Sequence, residues 1–161
     1  MGGADHLGKP VNIAPATAAD AADWTAMRTA LWPKGGETAH AADVADLLQD
    51  AGETINLIAR DAEGKALGFA EAALRRDYVN GCKTSPVAFL EGIFVMPEAR
   101  GQGVARALVA AVEAWGREQG CIEFASDAAP DNFASLDMHR ALGFEETQRV
   151  VFFRKVLAER D

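Results

Sequence analysis

An apolar strand, a glycine-containing turn and an amphipathic helix follow one another between residues 86 and 120, and this order constrains the fold most. Residues 86–96 are almost continuously apolar and close on Pro97, which is typical of a strand buried on both faces. The helix predicted over residues 103–119 has one apolar stripe, formed by Val104, Leu108, Val112 and Trp115. The unit therefore predicts a sheet with a helix packed on it.

Further strands and helices are predicted on both sides of this unit. The predicted strands cover residues 11–13, 54–60, 66–74 and 121–125, with one or two terminal strands chiefly over 150–156. The predicted helices cover residues 17–31, 40–50 and 132–142. This order predicts an α/β (α+β) fold, a mixed central sheet flanked by helices. We expect a single domain over residues 10–157 after a loose tail over residues 1–9.

Composition excludes several classes of function. The chain has 24 acidic and 16 basic residues, and a net charge of −8 makes nucleic acid a poor partner while permitting a cationic substrate. No apolar run reaches about 18 residues and no signal-peptide pattern is visible, so we expect a cytoplasmic protein without a membrane partner. Cys82 and Cys121 are expected to be reduced thiols. The spacing of the histidines and cysteines gives no support for a metal site.

The turn between the apolar strand and the helix has the properties of a phosphate-binding site. The first N–H groups of a helix have no partner within the helix, and the helix dipole favours an anion there. Gly101 and Gly103 would let the backbone approach an anion closely, and Arg100 adds a cation. An ordinary strand–helix turn with two glycines is the alternative interpretation.

Glu91 is the single carboxylate inside the apolar strand. Burial of an unpaired charge is unfavourable, so we expect this carboxylate to be paired, to have a raised pKa, or both. A carboxylate with a raised pKa can accept a proton near neutral pH. Gly92 beside it is expected to mark a bulge that re-aims the strand. A structural carboxylate, capping a bulge or pairing with an arginine, is the alternative.

Three further residues are candidates for lining a substrate cleft. Asp127 follows a short predicted strand, at a carboxyl end where open α/β sheets bind ligands. If the strands of Glu91 and Asp127 are neighbours, the two carboxylates share a cleft and attract a polycation. Tyr78, the only tyrosine, lies in a polar connection, and Trp32 ends a helix. The alternatives are a turn or cap for Asp127, a surface loop for Tyr78 and the core for Trp32.

The turn also resembles a known signature. The string from Arg100 to Ala105 resembles the Arg/Gln-x-x-Gly-x-Gly/Ala signature of the GNAT superfamily of N-acetyltransferases, and Asn132 with the later Gly143-Phe144 resembles a second superfamily segment. The resemblance implies the GNAT fold, with the sheet splayed between its fourth and fifth strands, and acetyl-coenzyme A as co-substrate. It implies that the cofactor contacts are made by Ile93, Phe94, Val95, Arg100, Gly101, Gln102, Gly103, Val104, Ala105 and Asn132.

A narrower resemblance, to the aminoglycoside 6′-N-acetyltransferases, extends over strings scattered along the chain. These strings are residues 31–33, 77–82, 85–87, 89–95, 125–127 and 143–147. The resemblance implies direct transfer of acetyl to the 6′-amine of an aminoglycoside in a ternary complex, and hence antibiotic resistance. Glu91 and Asp127 would be catalytic and would hold the substrate together with Trp32 and Tyr78. Family members are often dimers, so a homodimer is expected.

Two positions depart from the resembled pattern. Many GNAT enzymes carry a general-acid tyrosine four residues before the Gly-Phe pair, where this chain has His139. His139, a water molecule or no acid at all remain open. Gln148 stands where close relatives often have a glutamate in the substrate site. Two other functions also remain open: a GNAT enzyme that acetylates a small polyamine or a protein amine, and a domain that senses acyl-coenzyme A without turnover.

Overall fold

A computed structural model describes residues 10–50 and 52–159 of the chain. The predicted loose tail at residues 1–9 lies outside the described residues. The chain divides after Asp127 into two compact units, and each is described by itself. A single domain over residues 10–157 stays a prediction. None of the helices in the described part of the chain combines the length and apolar character that a membrane crossing requires.

The first unit is a five-stranded sheet with helices on both faces. Its strands are β1 (Asn12–Pro15), β2 (Thr54–Arg60), β3 (Ala66–Arg75), β4 (Val87–Val95) and β5 (Phe124–Ser126), in the sheet order β1-β2-β3-β4-β5. Its helices are α1 (Ala21–Leu31), α2 (Gly36–Gln49) and α3 (Val104–Glu118). Strands β1 to β4 pair antiparallel, whereas β5 runs parallel to β4. The predicted mixed sheet is confirmed.

Two apolar clusters hold the helices to opposite faces of the sheet. Leu57 of β2 belongs to the cluster that contains Leu108 and Val112 of α3. The next residue, Ile58, belongs to the cluster that contains Trp24 of α1 and Val44 of α2. Because successive strand residues point to opposite faces, α3 covers one face and the α1–α2 pair covers the other.

Strand β4 contains the predicted bulge. Glu71 of β3 lies opposite Gly92, and the next residue, Ala72, lies opposite Leu90. Glu91 is therefore the extra residue that faces no partner on β3, which is the arrangement of a β-bulge.

The sheet opens beside this bulge. The parallel pairing of β4 with β5 ends at Leu90 and Ser126. Beyond that point, in the described sheet, β4 continues to Val95 with β3 as its only paired neighbour. The opening corresponds to the splay between the fourth and fifth strands that the family resemblance implies.

Several predicted boundaries differ from the structure. Helix α2 begins at Gly36 rather than at His40. The predicted loop at residues 34–36 instead forms part of a 3₁₀ turn (Pro33–Gly35) and the first residue of the helix. Strand β5 covers Phe124–Ser126 rather than residues 121–125, since the Cys121 N–H bonds the Gly116 carbonyl at the end of α3.

The second unit contains α4 (Phe133–Ala141), close to the predicted helix. The terminal strands predicted after Phe144 are wrong: the described residues 144–159 include no strand. A strand requires a neighbour with which its backbone can pair, and an apolar sequence alone does not supply one. Several apolar side chains of this segment are instead strongly exposed, among them Phe152 and Phe153 at 88% and 91%.

Candidate active site

The turn before α3 is open and rich in backbone donors. Gly101 and Gly103 have φ values of 77° and 85°, in the left-handed region that favours glycine, and a Cβ added at either position would meet nothing within 4 Å. Helix α3 begins at Val104 without a side-chain cap and without an acidic residue in its first turn. The turn thus leaves room for an anion beside the start of the helix, where the helix dipole favours one.

Arg100 links this turn to the end of β4. Its Nε donates to the Val95 carbonyl oxygen at 2.9 Å, and its guanidinium carbon lies 5.7 Å from the centre of the Phe94 ring. The side chain is exposed, so the cation is available at the turn, as predicted. Its contact with a carbonyl at the open end of β4 was not predicted from the sequence.

Glu91 is not buried, contrary to the sequence prediction. The bulge turns its side chain outwards, where it is 37% exposed. The expected partner exists: Arg75 Nη2 lies 2.9 Å from one carboxylate oxygen and 3.0 Å from the other. The guanidinium carbon of Arg75 lies 3.6 Å from the centre of the Phe89 ring, which holds it beside the carboxylate. Sequence reasoning missed Arg75, although its place in the polar end of β3 was visible.

Asp127 leaves the sheet at the same level as Glu91. Leu90 and Ser126 are the last paired residues of β4 and β5, and each acidic residue comes directly after one of them. The two strands are therefore neighbours, which was the condition for the two carboxylates to share a cleft. Asp127 is also exposed. Two acidic residues thus stand at the point where the sheet opens, as a cleft for a polycation needs.

Trp32 lies against the bulge from the other direction. It follows α1 directly, and a Cβ on Gly92 would overlap its ring atoms Cζ2 and Cη2. The indole is half-buried and lies against Gly92, the residue that follows Glu91. Tyr78 is 74% exposed in the connection between β3 and β4. In the described part of the chain, no hydrogen bond joins Tyr78 to Glu91 or Trp32.

Asn132 and His139 make contacts within the second unit. Asn132 Oδ1 accepts from the Ser135 N–H at 3.2 Å, so the side chain caps α4. His139 Nδ1 lies 2.7 Å from the Ser135 carbonyl oxygen, and its ring meets the Phe144 ring edge-on at 5.1 Å between centres. Asn132 is thus a helix cap, and His139 packs within its own unit.

Glu71 is the carboxylate that the structure buries. Its side chain is 8% exposed, and both oxygens lie 2.5 Å from Arg28 Nη1. Trp24 Nε1 donates to one of these oxygens at 2.9 Å. The criterion applied to Glu91, a lone carboxylate in an apolar strand, also fits Glu71 and would have found it.

Comparisons with known proteins agree with this geometry. The Acetyltransferase (GNAT) family model matches residues 22–144. An aminoglycoside N(6′)-acetyltransferase type 1 from Salmonella typhimurium (strain LT2) is 54% identical over 82% of this chain and 90% of the relative.

Two solved structures extend the match to the fold. The aminoglycoside 6′-N-acetyltransferase AAC(6′)-Ih from Acinetobacter baumannii is 46% identical, with a TM-score of 0.87 over 92% of this chain and 100% of that one. AAC(6′)-Iy in complex with the bisubstrate analogue CoA-S-monomethyl-acetylneamine is 48% identical, with a TM-score of 0.85 over 91% and 99% of the two chains. The chain belongs to the acetyltransferase (GNAT) family and, within it, groups with the aminoglycoside N(6′)-acetyltransferases.

Proposed function

We propose that this protein transfers the acetyl group of acetyl-coenzyme A to the 6′-amine of an aminoglycoside and thereby confers resistance. The observation that carries the proposal is the opening of the sheet, where Glu91 and Asp127 leave β4 and β5 at one level. The turn at the start of α3, which is the proposed anion site, follows the end of the same strand β4. Two relatives near 50% identity, both called aminoglycoside N(6′)-acetyltransferase type 1, support the substrate class.

Acetyl-coenzyme A would bind between the open edge of β4 and the start of α3. No strand pairs with the backbone of residues 93–95 on the β5 side of the described sheet, where only the Arg100 side chain bonds the Val95 carbonyl, so a pantetheine amide can pair there. The pyrophosphate would lie on the turn formed by Arg100, Gly101, Gln102, Gly103, Val104 and Ala105. Asn132 of the second unit remains a proposed contact to the cofactor. Arg100 would exchange the Val95 carbonyl for a phosphate oxygen, which is the stronger acceptor.

The aminoglycoside would occupy the acidic opening. Glu91 and Asp127 would hold its ammonium groups, the Trp32 indole would contact a sugar ring, and Tyr78 would contribute from the connection before β4. A substrate ammonium would take the place that Arg75 holds beside Glu91.

The reaction is a direct transfer. Glu91, alone or through a water molecule, accepts a proton from the substrate ammonium, and the free amine attacks the thioester carbonyl carbon. The N–C bond forms, the C–S bond breaks, coenzyme A leaves as the thiolate, and the nitrogen releases its second proton to solvent as it becomes the amide nitrogen. Backbone N–H groups near Ile93 and Phe94 would stabilise the oxyanion. His139 or a water molecule would protonate the thiolate.

One assay tests the function against its alternatives. We expect the protein to consume acetyl-coenzyme A with kanamycin and far less with spermidine or a peptide. A preference for spermidine or the peptide would indicate another amine acetyltransferase. Cofactor binding without turnover of any amine would indicate a sensing module and contradict the proposal.

Glu91→Gln tests the role of the proposed base. The amide keeps the size of the side chain but cannot accept the proton, so we expect kcat to fall roughly 100-fold at neutral pH. The pH dependence that comes from the general base should also disappear from the pH–rate profile. An unchanged profile in the variant would remove Glu91 as base.

A homodimer in the cytoplasm is the remaining part of the proposal. The segment at residues 150–157 exposes apolar side chains that a second copy of the chain could cover, with Val151 at 74% and Leu157 at 89%. Cys82 and Cys121 are free thiols, which suits a reducing compartment that supplies acetyl-coenzyme A.

A further inference from the structure

A buried polar cluster links α1, α2 and β3 on the face of the sheet opposite α3. Its members are Trp24, Arg28, His40 and Glu71, all of them buried. Arg28 is the centre: it donates to Glu71 through Nη1 at 2.5 Å and approaches His40 Nδ1 through Nε at 3.3 Å. The cluster therefore fixes His40 from one side.

His40 is fixed on its other side by the backbone of Trp32. His40 Nε2 lies 2.7 Å from the Trp32 carbonyl oxygen. A carbonyl oxygen only accepts and the Arg28 Nε–H only donates, so Nε2 must carry the proton and Nδ1 must accept. The neutral Nε2–H tautomer thus satisfies both contacts, and it makes His40 a bridge between Arg28 and Trp32.

The indole of Trp32 is held by the same residues. The His40 ring stacks on it with 6.2 Å between centres, and the Arg28 guanidinium carbon lies 4.9 Å from its centre. Phe69 meets it edge-on at 6.2 Å. The edge of the indole touches Gly92, so the position of the ring is defined relative to the bulge that presents Glu91.

We propose that His40 is a positioning residue for the acceptor site. Its hydrogen bond to the Trp32 carbonyl keeps the indole beside Glu91, where it forms one wall for the aminoglycoside. This inference rests on the proposed function, in which Trp32 and Glu91 bind the substrate. In this proposal His40 touches neither the aminoglycoside nor acetyl-coenzyme A. It still affects the affinity for the aminoglycoside.

Two substitutions separate the two contacts of His40. In His40→Gln the amide nitrogen comes where Nε2 lies, so the bond to the Trp32 carbonyl is kept. In His40→Asn the amide oxygen comes where Nδ1 lies, so the bond from Arg28 is kept and the bond to Trp32 is lost. Both variants lose the ring that stacks on the indole, which makes them a matched pair.

We expect His40→Asn to raise KM for the aminoglycoside roughly three- to tenfold, the effect of one lost hydrogen bond. KM for acetyl-coenzyme A and kcat at saturation should stay within about twofold. His40→Gln should restore KM for the aminoglycoside most of the way to the wild-type value. Equal KM values for the aminoglycoside in the two variants, or a joint loss in kcat and both KM values, would overturn the proposal.

Gly35→Ala decides the matter if the His40 variants do not fold. A Cβ on Gly35 would lie 3.0 Å from His40 Nε2 and would push the ring without removing any polar group. The same rise in KM for the aminoglycoside alone is expected, and an unchanged KM in the folded variant would contradict the proposal. A wild-type protein without turnover of any aminoglycoside would instead contradict the proposed function, which keeps the two failures distinguishable.

Discussion

Arg75 pairs with the carboxylate of Glu91, the group that would bind a substrate ammonium in the proposed reaction. Its guanidinium bonds both oxygens of Glu91 and rests on the Phe89 ring. A cationic aminoglycoside must therefore compete with a cation that the protein itself supplies. The arrangement keeps Glu91 oriented before substrate arrives, and it weakens the first encounter.

Arg75→Gln is expected to lower KM for the aminoglycoside about two- to fivefold, because an exposed ion pair contributes up to about 1 kcal/mol. Steady-state kinetics with kanamycin as the varied substrate measures the change. Arg76→Gln is the matched control: Arg76 is the next residue, is also exposed, and pairs with Glu53 instead. An unchanged or higher KM in Arg75→Gln would show that Arg75 does not compete for this site.

Glu71 carries the second prediction at this scale. Glu71→Gln removes the charge that balances the buried Arg28 and is expected to lower the free energy of unfolding by about 3–5 kcal/mol. Urea denaturation measures the change. Asp43→Asn is the control, since Asp43 pairs with the same arginine at 3.1 Å but is 55% exposed, and a loss under about 1 kcal/mol is expected there. Equal losses in the two variants would contradict the assignment.

The two glutamates also show how far sequence reasoning reaches for single residues. The lone carboxylate in an apolar strand predicted a partner, a raised pKa or both at Glu91, and Gly92 predicted a bulge; the partner and the bulge are present. This pattern could not predict exposure, because exposure depends on where β5 stops pairing with β4. Arg28 and Glu71 pair across 43 positions of the chain, and nothing local distinguishes such an arginine from one on a solvated helix face.

At the scale of elements, the turn before α3 allows a direct test of cofactor binding. Gly103→Ala places a Cβ in the open space where the pyrophosphate would approach the backbone. It also forces an alanine into the left-handed region, at φ 85°. We expect KM for acetyl-coenzyme A to rise roughly tenfold, since close backbone approach is what such a glycine provides.

Gly64→Ala is the matched control for this strain. Gly64 has φ 84°, a Cβ there would also meet nothing within 4 Å, and the residue lies in the β2–β3 turn. Both variants should lose about 1–2 kcal/mol of stability, the effect of a side chain in the left-handed region. Only Gly103→Ala should change KM for acetyl-coenzyme A. Equal KM values in the two variants would exclude the turn as the cofactor site.

Elements with a strong internal pattern were predictable, and those defined by pairing were not. Helix α3 (Val104–Glu118) lies within one residue of its predicted limits because its apolar stripe specifies both a helix and a buried face. The terminal strands predicted at residues 150–156 are absent, because the β-forming residues there have no paired neighbour within the described chain. A single sequence gives strand propensity but does not identify the partner strand.

At the scale of the whole molecule, the exposed segment at residues 150–157 predicts self-association. Phe152→Ser combined with Phe153→Ser removes two large apolar side chains that are 88% and 91% exposed. If a second copy covers them, the dimer dissociation constant of the variant should rise at least about 100-fold. The reason is that burying each phenylalanine stabilises the dimer by about 1.5–3 kcal/mol. Sedimentation equilibrium measures the constant.

Ile122→Ser is the control for this experiment. Ile122 is 81% exposed but lies before β5, outside the segment. Its substitution should leave the dissociation constant unchanged. A monomeric wild-type protein, or a dimer unaffected by the double substitution, would contradict the proposed interface.

The contact between Gly92 and Trp32 also has a consequence for how sequences of this group diverge. A side chain at position 92 and a full indole at position 32 cannot occupy the same volume. Descendants of this chain should therefore change the two positions together, with a larger residue at 92 only where a smaller one stands at 32. The bulge and the end of the first helix would then be inherited as one unit, and drift at either position would be limited by the other.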